Sequence, residues 1–399
     1  MKGISFLLIP MYTALLKPDE YGQLEIINNI ASILSEIFCL GLTSVLFIEY
    51  YHHDESSRKI LIRELITIFI LISTPLYTIT TIIIYLFKAT IINTDVNFIL
   101  ILISIISSYL GFFQAIFINI LRISKRAKIL TLIQVALGLL SGLMNIILVY
   151  FYRTGIAGII ATNLIVSIIS FTLVFYVYKK NINVFKLNIS RKAIINFLKI
   201  GIPFMPGSVA AWVMSTSDRW FLLKFVNLHA VGIFALSFKF ASVYDVLIIT
   251  PLVNAYFPYV FSRFSKGNYH QHFKILIPAT LGIFFLLGLF TQQVARMLFI
   301  GTLYRESIDY LPPMIFKYGI ILCTHFISQR FLFWRKSMLS TSFYIVSAIF
   351  NVALNFIVVP RFGIWGAVYS GLLTNMLWFM LFVFAKMRIK IPITVHDAL

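Results

Sequence analysis

The chain is a succession of apolar stretches, each about as long as a bilayer core is thick, separated by short segments that hold most of its charge. A hydrocarbon core of roughly 30 Å takes about 20 helical residues at about 1.5 Å rise each. On that ruler twelve spans are predicted, at about 3–16, 24–48, 65–87, 98–121, 129–151, 156–178, 200–223, 231–257, 275–296, 311–333, 339–359 and 364–386. The first is shorter than the ruler asks, and it reads as a membrane helix because no small-residue cleavage site follows it. With 60% hydrophobic and only 12% charged residues, a chain of this kind cannot cover a water-facing surface. The expected fold class is an all-α polytopic membrane protein with no room for a soluble catalytic domain.

The net charge of +19 does not point to nucleic acid, because the basic residues sit in short clusters between apolar stretches and form no single soluble face. It reads instead as topology and contact with anionic membrane lipids. If both termini are cytoplasmic, 23 of the 33 Lys and Arg fall on the cytoplasmic side and 7 on the other, while Arg219, Lys239 and Lys317 lie within spans. An odd number of spans would scramble this bias. Cys39 and Cys323 both lie in apolar runs and read as small core residues, not as a disulfide or a metal site.

Sliding the chain against itself by 210 residues brings Gly22 onto Gly232, Ala31-Ser32 onto Ala241-Ser242 and Phe47 onto Phe257. The dibasic Lys125-Arg126 meets Arg335-Lys336, and Asn145 meets Asn355. After a two-residue gap, Gly155-Ile156 and Gly158 meet Gly363-Ile364 and Gly366. Six spans per half give both halves the same orientation, so two six-helix lobes are expected, related by a pseudo-two-fold axis along the membrane normal. The lobes are expected at 1–180 and 200–399, joined by a basic cytoplasmic linker at 181–199. Duplication of this kind belongs to transporters that rock two lobes for alternating access. No G-x-x-x-x-G-K-[ST] or H-E-x-x-H occurs, so neither an ATP-binding loop nor a zinc-protease helix is present in the sequence.

The opening Lys2-Gly-Ile-Ser-Phe-Leu-Leu-Ile-Pro10, followed by Leu15-Leu-Lys-Pro-Asp-Glu-Tyr-Gly22, resembles that of the Wzx-type polysaccharide flippases. These belong to the same superfamily as the MATE drug exporters and the lipid II flippases. Ser217-Asp218-Arg219-Trp220-Phe221-Leu222-Leu223-Lys224-Phe225 is similar to the family's "D-R" span, and Ala230-Val231-Gly232-Ile233-Phe234 and Ala255-Tyr256-Phe257-Pro258 to the two ends of its eighth helix. The resemblance implies a bacterial inner-membrane protein, not an enzyme. It would move an undecaprenyl-pyrophosphate-linked oligosaccharide to the periplasmic leaflet for an O-antigen, capsule or related polysaccharide. Polysaccharide polymerase and glycosyltransferases are the implied partners, and no bound cofactor is implied. Members usually carry further residues ahead of this opening, which leaves the role of the first helix open.

Ionisable residues within spans are costly and default to a cavity or a partner. Lys239, deep in the eighth span, is the cation best placed to meet a pyrophosphate headgroup, and Asp218, Arg219 and Lys317 are further candidates to contact substrate. Asp218 and Arg219 serve equally as a brace between helices, and Lys317 equally as an interfacial residue whose head reaches water. Glu36 and Asp245, one residue off the internal symmetry, are candidates for coupling to Na+ or H+; Glu25 and His325 are weaker ones. Trp212, Tyr244 and Trp378 could stack on sugars, though packing is the commoner role of such residues. The alternatives to a flippase are a MATE-like exporter of cations, which would want a mainly acidic cavity, a polymerase, and a scaffold for glycosyltransferases.

The charge bias makes a direct prediction. A green fluorescent protein fused after Leu399 should fluoresce, and alkaline phosphatase fused after Arg305 should be active; the reverse pattern would invert the topology.

Overall fold

The computed structural model describes residues 7–87, 96–124, 126–179, 190–265, 273–297, 302–334 and 336–388. Residues 181–189 of the expected linker at 181–199, together with Lys125 and Arg335 of the dibasic loops, lie outside these residues. The elements are helical throughout the described residues. They are α1 (Ile9–Leu15), α2 (Pro18–Phe38), α3 (Leu42–Glu49), α4 (Ser57–Leu86), α5 (Phe98–Ile123), α6 (Lys128–Phe151) and α7 (Gly155–Tyr176). There follow α8 (Arg191–Thr216), α9 (Asp218–Phe225), α10 (Leu228–Phe264), α11 (Phe273–Met297), α12 (Leu311–Phe333) and α13 (Met338–Arg388). Among the described residues nine helices are individually long and apolar enough to cross a membrane, and the bent pair α2–α3 makes up to ten. Helix α13 runs 51 residues but is broken at Gly363 (φ +54°, ψ −128°), so it covers two of the expected spans. The expected first span is represented by the seven-residue α1. The architecture is consistent with the twelve-span reading.

Where helices bend, the sequence supplies the reason. The span expected over 24–48 is two helices meeting at 45°, because Leu40 (φ +51°) and Gly41 (φ +66°) turn left-handed between them. A Cβ on Gly41 would stand 2.1 Å from the Gly201 carbonyl oxygen, so only glycine lets α8 approach this corner. Ser73 donates to the Phe38 carbonyl (2.6 Å), occupying an acceptor left over at the break. Widened π-turns at Phe69–Ser73 and Asp245–Ile249 each precede a proline, Pro75 and Pro251, whose missing N–H frees a carbonyl one turn back.

The chain divides into two compact units. One spans Gln23–Val209, and the other joins Lys2–Gly22 to Ala210–Leu399. The division falls within α8, past the expected 181–199 boundary, and it assigns the N-terminal segment to the unit formed by the second half. In the first unit Phe69 stacks on Phe112 (3.6 Å between centroids) and meets Phe113 edge-on, and Phe113 in turn meets Phe171, tying α4, α5 and α7. In the second unit the N-terminal segment docks through glycine. A Cβ on Gly232 would be 2.0 Å from the Pro18 carbonyl oxygen, and one on Gly22 would be 2.2 Å from that of Leu228. The two glycines matched by the 210-residue repeat thus make one backbone crossing. Around it, Tyr304 donates to the Leu16 carbonyl (3.1 Å), and His229 Nδ1 stands 3.6 Å from the Asp19 carboxylate. Burial raises the pKa of the Tyr304 phenol well above its ordinary value, so it serves as a donor.

The repeat has further structural counterparts. Asn145 donates to the Ser141 carbonyl (2.8 Å) and Asn355 to the Asn351 carbonyl (3.1 Å), at positions 210 residues apart. Gly155 (φ +61°) and Gly363 (φ +54°), matched after the two-residue gap, both turn left-handed, marking the same corner in each half.

Gly232→Val should therefore destabilise strongly, by about 1–3 kcal/mol or more, since backbone cannot move aside as a flexible side chain would. Gly282→Ala, where an added Cβ meets nothing within 4 Å, should be neutral or slightly stabilising. Melting of the detergent-solubilised protein compares the two, and equal melting temperatures would contradict the crossing.

Candidate functional site

Three of the four sequence-predicted substrate residues come together inside the second unit. Asp218 and Arg219 begin α9, and Lys317 lies in the second turn of α12; they are 1%, 4% and 6% exposed. Asn355 on α13 donates to Asp218 Oδ1 (2.7 Å) and also lies 3.1 Å from Asn351 Oδ1. Asn351 accepts from Ser217 (2.8 Å) and donates to Thr374 (3.1 Å), so a polar chain links α9 to both limbs of α13. The Lys317 ammonium and Asp218 Oδ2 gather at the bare Cα of Gly371, where a Cβ would sit 3.6 and 3.7 Å from them. The same ammonium faces the rings of Phe238 (5.2 Å) and Tyr318 (5.8 Å). Arg219 donates to the Ser215 carbonyl (3.1 Å) and lies 4.4 Å from the Phe238 centroid. Phe238 on α10 is thus shared by both cations.

This is a closed network. The buried Lys317 ammonium turns inward and does not reach for an interface, although its sequence position near a span end allowed that. Adjacent charges in sequence, Asp218 and Arg219 diverge around the helix and meet different neighbours. Buried charge in a spanning helix demands such compensation, and here an ammonium, amide donors and an aromatic face provide it.

Lys239 stands apart. It is the twelfth residue of α10, about 17 Å along the helix, and half-buried. Its ammonium lies 5.4 Å from the Tyr12 centroid and 5.7 Å from that of Tyr21, both brought to it by the docked N-terminal segment. No salt bridge within 4 Å joins Lys239 to a carboxylate among the described residues. A half-buried cation that faces rings and has no carboxylate within 4 Å among the described residues is able to accept an anionic ligand.

The candidates for ion coupling divide between the units. Glu25, half-buried, and Glu36, exposed, lie on α2 in the first. In the second, Asp245 opens the π-turn of α10 within electrostatic reach of His325 and Tyr318 on α12. The His325 ring meets Trp378 edge-on at 6.0 Å, and its carbonyl accepts from Gln329 and Ser328. Trp378 is buried against Tyr344 and Phe382, and Tyr244 bonds Thr291, so both are engaged in packing. Cys39 and Cys323 are free thiols, half-buried and buried. Among the described residues no group of three His, Cys, Asp or Glu could hold a metal ion. Sequence reasoning missed Asn351, Tyr12 and Tyr21. The Asn351/Asn355 pair had a signal in its i, i+4 spacing on an apolar helix, which puts two amides on one face.

A helical architecture of this kind is shared with known transporters. The inward-facing conformation of a multidrug resistance MATE family transporter of the MOP superfamily superposes with a TM-score of 0.72 at 15% identity, covering 97% of this chain and 94% of that one. The lipid II flippase MurJ, in an inward closed conformation, gives 0.72 at 16% identity, with 97% and 87% covered. A MATE transporter of Vibrio cholerae, VcmN, gives 0.63 at 15% identity, with 97% and 92% covered. Identities this low carry the fold, that of a multi-pass membrane protein built like the MATE and MurJ transporters. By sequence, no curated protein matches the chain. The profile of the family described as "Polysaccharide biosynthesis protein" matches residues 1–265, and the chain belongs to that family. Both findings agree with the resemblance to Wzx-type flippases carried by the opening motif and the Asp218-Arg219 span.

The network predicts coupled energetics. Asp218→Ala strands a buried ammonium and an amide donor, and Lys317→Met strands a buried carboxylate; each should cost about 3–5 kcal/mol. Their combination should cost clearly less than the sum. Strictly additive losses in thermal unfolding would show that the two charges do not stabilise each other.

Proposed function

We propose that this protein is a flippase that carries undecaprenyl-pyrophosphate-linked oligosaccharide repeat units across the bacterial inner membrane by alternating access, supplying an O-antigen- or capsule-type surface polysaccharide. Membership of the polysaccharide biosynthesis family supports the pathway, and the fold shared with MurJ and the MATE transporters supports movement of a substrate. The observation that carries the reading is Lys239, a half-buried ammonium on an apolar helix that faces two tyrosine rings, with no carboxylate within 4 Å among the described residues. A pyrophosphate crossing hydrocarbon needs a cation that is not already neutralised, because its own charge cannot be desolvated unpaired.

On this reading Lys239 meets the headgroup, while Asp218, Arg219 and Lys317 brace α9, α10, α12 and α13 around it. The same ammonium disfavours an exporter of cations, which it would repel. Coupling to Na+ or H+ falls to Asp245 with His325, or to Glu36 and Glu25, and both termini are cytoplasmic. Polymerase and glycosyltransferases act on either side of the step.

Deleting the gene should cause full-length repeat units to accumulate on the lipid carrier at the cytoplasmic face, with loss of surface glycan. A plasmid copy should restore both, and the Lys239→Ala copy should insert normally yet fail to restore them. Wild-type surface polysaccharide in the Lys239→Ala strain would refute the role of this residue. Units accumulating on the periplasmic face in the deletion strain would indicate a polymerase instead.

A further inference from the structure

Polar groups recur at helical spacing on three faces inside the second unit. The first limb of α13 carries Ser340, Ser347, Asn351 and Asn355, and the second limb carries Ser370, Thr374 and Trp378. Steps of four and seven residues keep each set on one side of its helix. Tyr318, His325 and Gln329 follow the same steps on α12. Contacts tie the three faces together rung by rung. Asn355 donates to Asp218 (2.7 Å), Asn351 donates to Thr374 (3.1 Å), and the Trp378 ring meets those of His325 (6.0 Å) and Tyr344 (4.6 Å). One turn further, Gln329 donates to the His325 carbonyl (3.0 Å).

These rungs leave buried polar atoms over. Asn355 Oδ1, Ser370 Oγ, Ser347 Oγ, Trp378 Nε1, Gln329 Oε1 and Ser340 Oγ have no hydrogen-bond partner among the described residues. A buried donor or acceptor is costly when unpaired, so protein interiors match such atoms with protein groups or with bound water. Lys317 adds a charge to the column. Its ammonium is buried, yet no ion pair within 4 Å joins it to a carboxylate among the described residues. It faces the bare Cα of Gly371 together with Asp218 Oδ2, and an added Cβ there would stand 3.6 and 3.7 Å from the two. Opposite charges that face one point without touching are arranged for a bridge the size of one water.

We infer that a file of buried waters runs between α12 and the two limbs of α13, from Gln329 and Ser340 to Gly371, and carries protons to the Asp218–Lys317 pair. Water is the fitting occupant because the leftover atoms include acceptors and a donor, and one small molecule must serve both. The file begins about one turn from the ends of α12 and α13 at Phe333 and Met338, within reach of bulk water. Successive turns are about 5.4 Å apart, a gap that two hydrogen-bonded waters span. A proton moves along such a file by passing from each water to the next. His325 takes one on one ring nitrogen and releases another from the other nitrogen. The carboxylate of Asp218 accepts the proton at the far end and becomes a neutral acid, with no further reactant. Such a path adds to the flippase reading and does not depend on it.

The test exposes the full-length protein in mild detergent to short X-ray pulses in oxygen-18 water, with oxidised side chains located by mass spectrometry. Radicals form where water is bound, so Trp378 and Tyr318, both buried but on the file, should take up oxygen-18. Phe69 and Phe112, equally buried and stacked on each other in the first unit, should not. Proton movement is read as exchange of the Trp378 indole N–H with deuterated water, followed by NMR and assigned with Trp378→Phe. Gln329→Leu/Ser340→Ala removes the polar atoms at the entrance and should slow that exchange by about tenfold or more. No oxygen-18 at Trp378 and Tyr318 in the wild type would overturn the file, as would equal uptake by Phe69 and Phe112. Unchanged indole exchange in the double variant, with melting as in the wild type, would overturn the proton path.

Discussion

A backbone amide in hydrocarbon has no water to turn to, and this constraint shapes nearly every feature of the chain. It forces the spans to be helices, and it governs what happens where a helix cannot continue. At Leu40-Gly41 the break is tolerated because Ser73 bonds the Phe38 carbonyl and the Gly201 backbone packs against the corner. At the π-turns before Pro75 and Pro251 the ladder widens by one residue and does not open. Bends are therefore confined to places where glycine, serine or a shifted ladder satisfies the backbone.

The same scarcity of water sets the rules for side chains. Without a hydrophobic drive between helices in lipid, close packing and hydrogen bonds must hold them. The Gly22–Gly232 crossing brings two backbones together, and the Asn351–Asn355–Asp218 chain joins α9 to both limbs of α13. Each costs little in a helix and would be destroyed by a single added methyl or a lost amide. Asn145 and Asn355, matched by the repeat, share the bond to the carbonyl four residues back, but only Asn355 extends it to a partner helix.

Much of the architecture is legible in the sequence because lipid leaves so few options: length and hydropathy locate the spans, and the gapped repeat pairs the corner at Gly155 with that at Gly363. The broken α2–α3 was not legible, since Leu40-Gly41 sits within one span-length stretch and carries no proline to mark a break. Nor was the docking of Lys2–Gly22 with the second unit, because a glycine in a helix does not announce which backbone it will meet. The candidate charges were found individually, since an ionisable residue in an apolar stretch stands out. Their partners were not found, because Tyr12, Tyr21 and Asn351 are separated from them by tens to hundreds of residues and look like ordinary span residues.

The cations of the second unit can be ordered by how completely each is neutralised, and that order bears on function. Lys317 and Asp218 both face the Cα of Gly371, within a network whose disruption should cost about 3–5 kcal/mol, so a ligand could not draw it away cheaply. Lys239 has two ring faces, each worth about 0.5–2 kcal/mol. An anion arriving at Lys239 therefore displaces weak partners and gains a charge-assisted bond, whereas one arriving at Lys317 would have to outcompete a carboxylate already in place. Among charges in a membrane, the one left least satisfied by its own protein is the one held ready for something else.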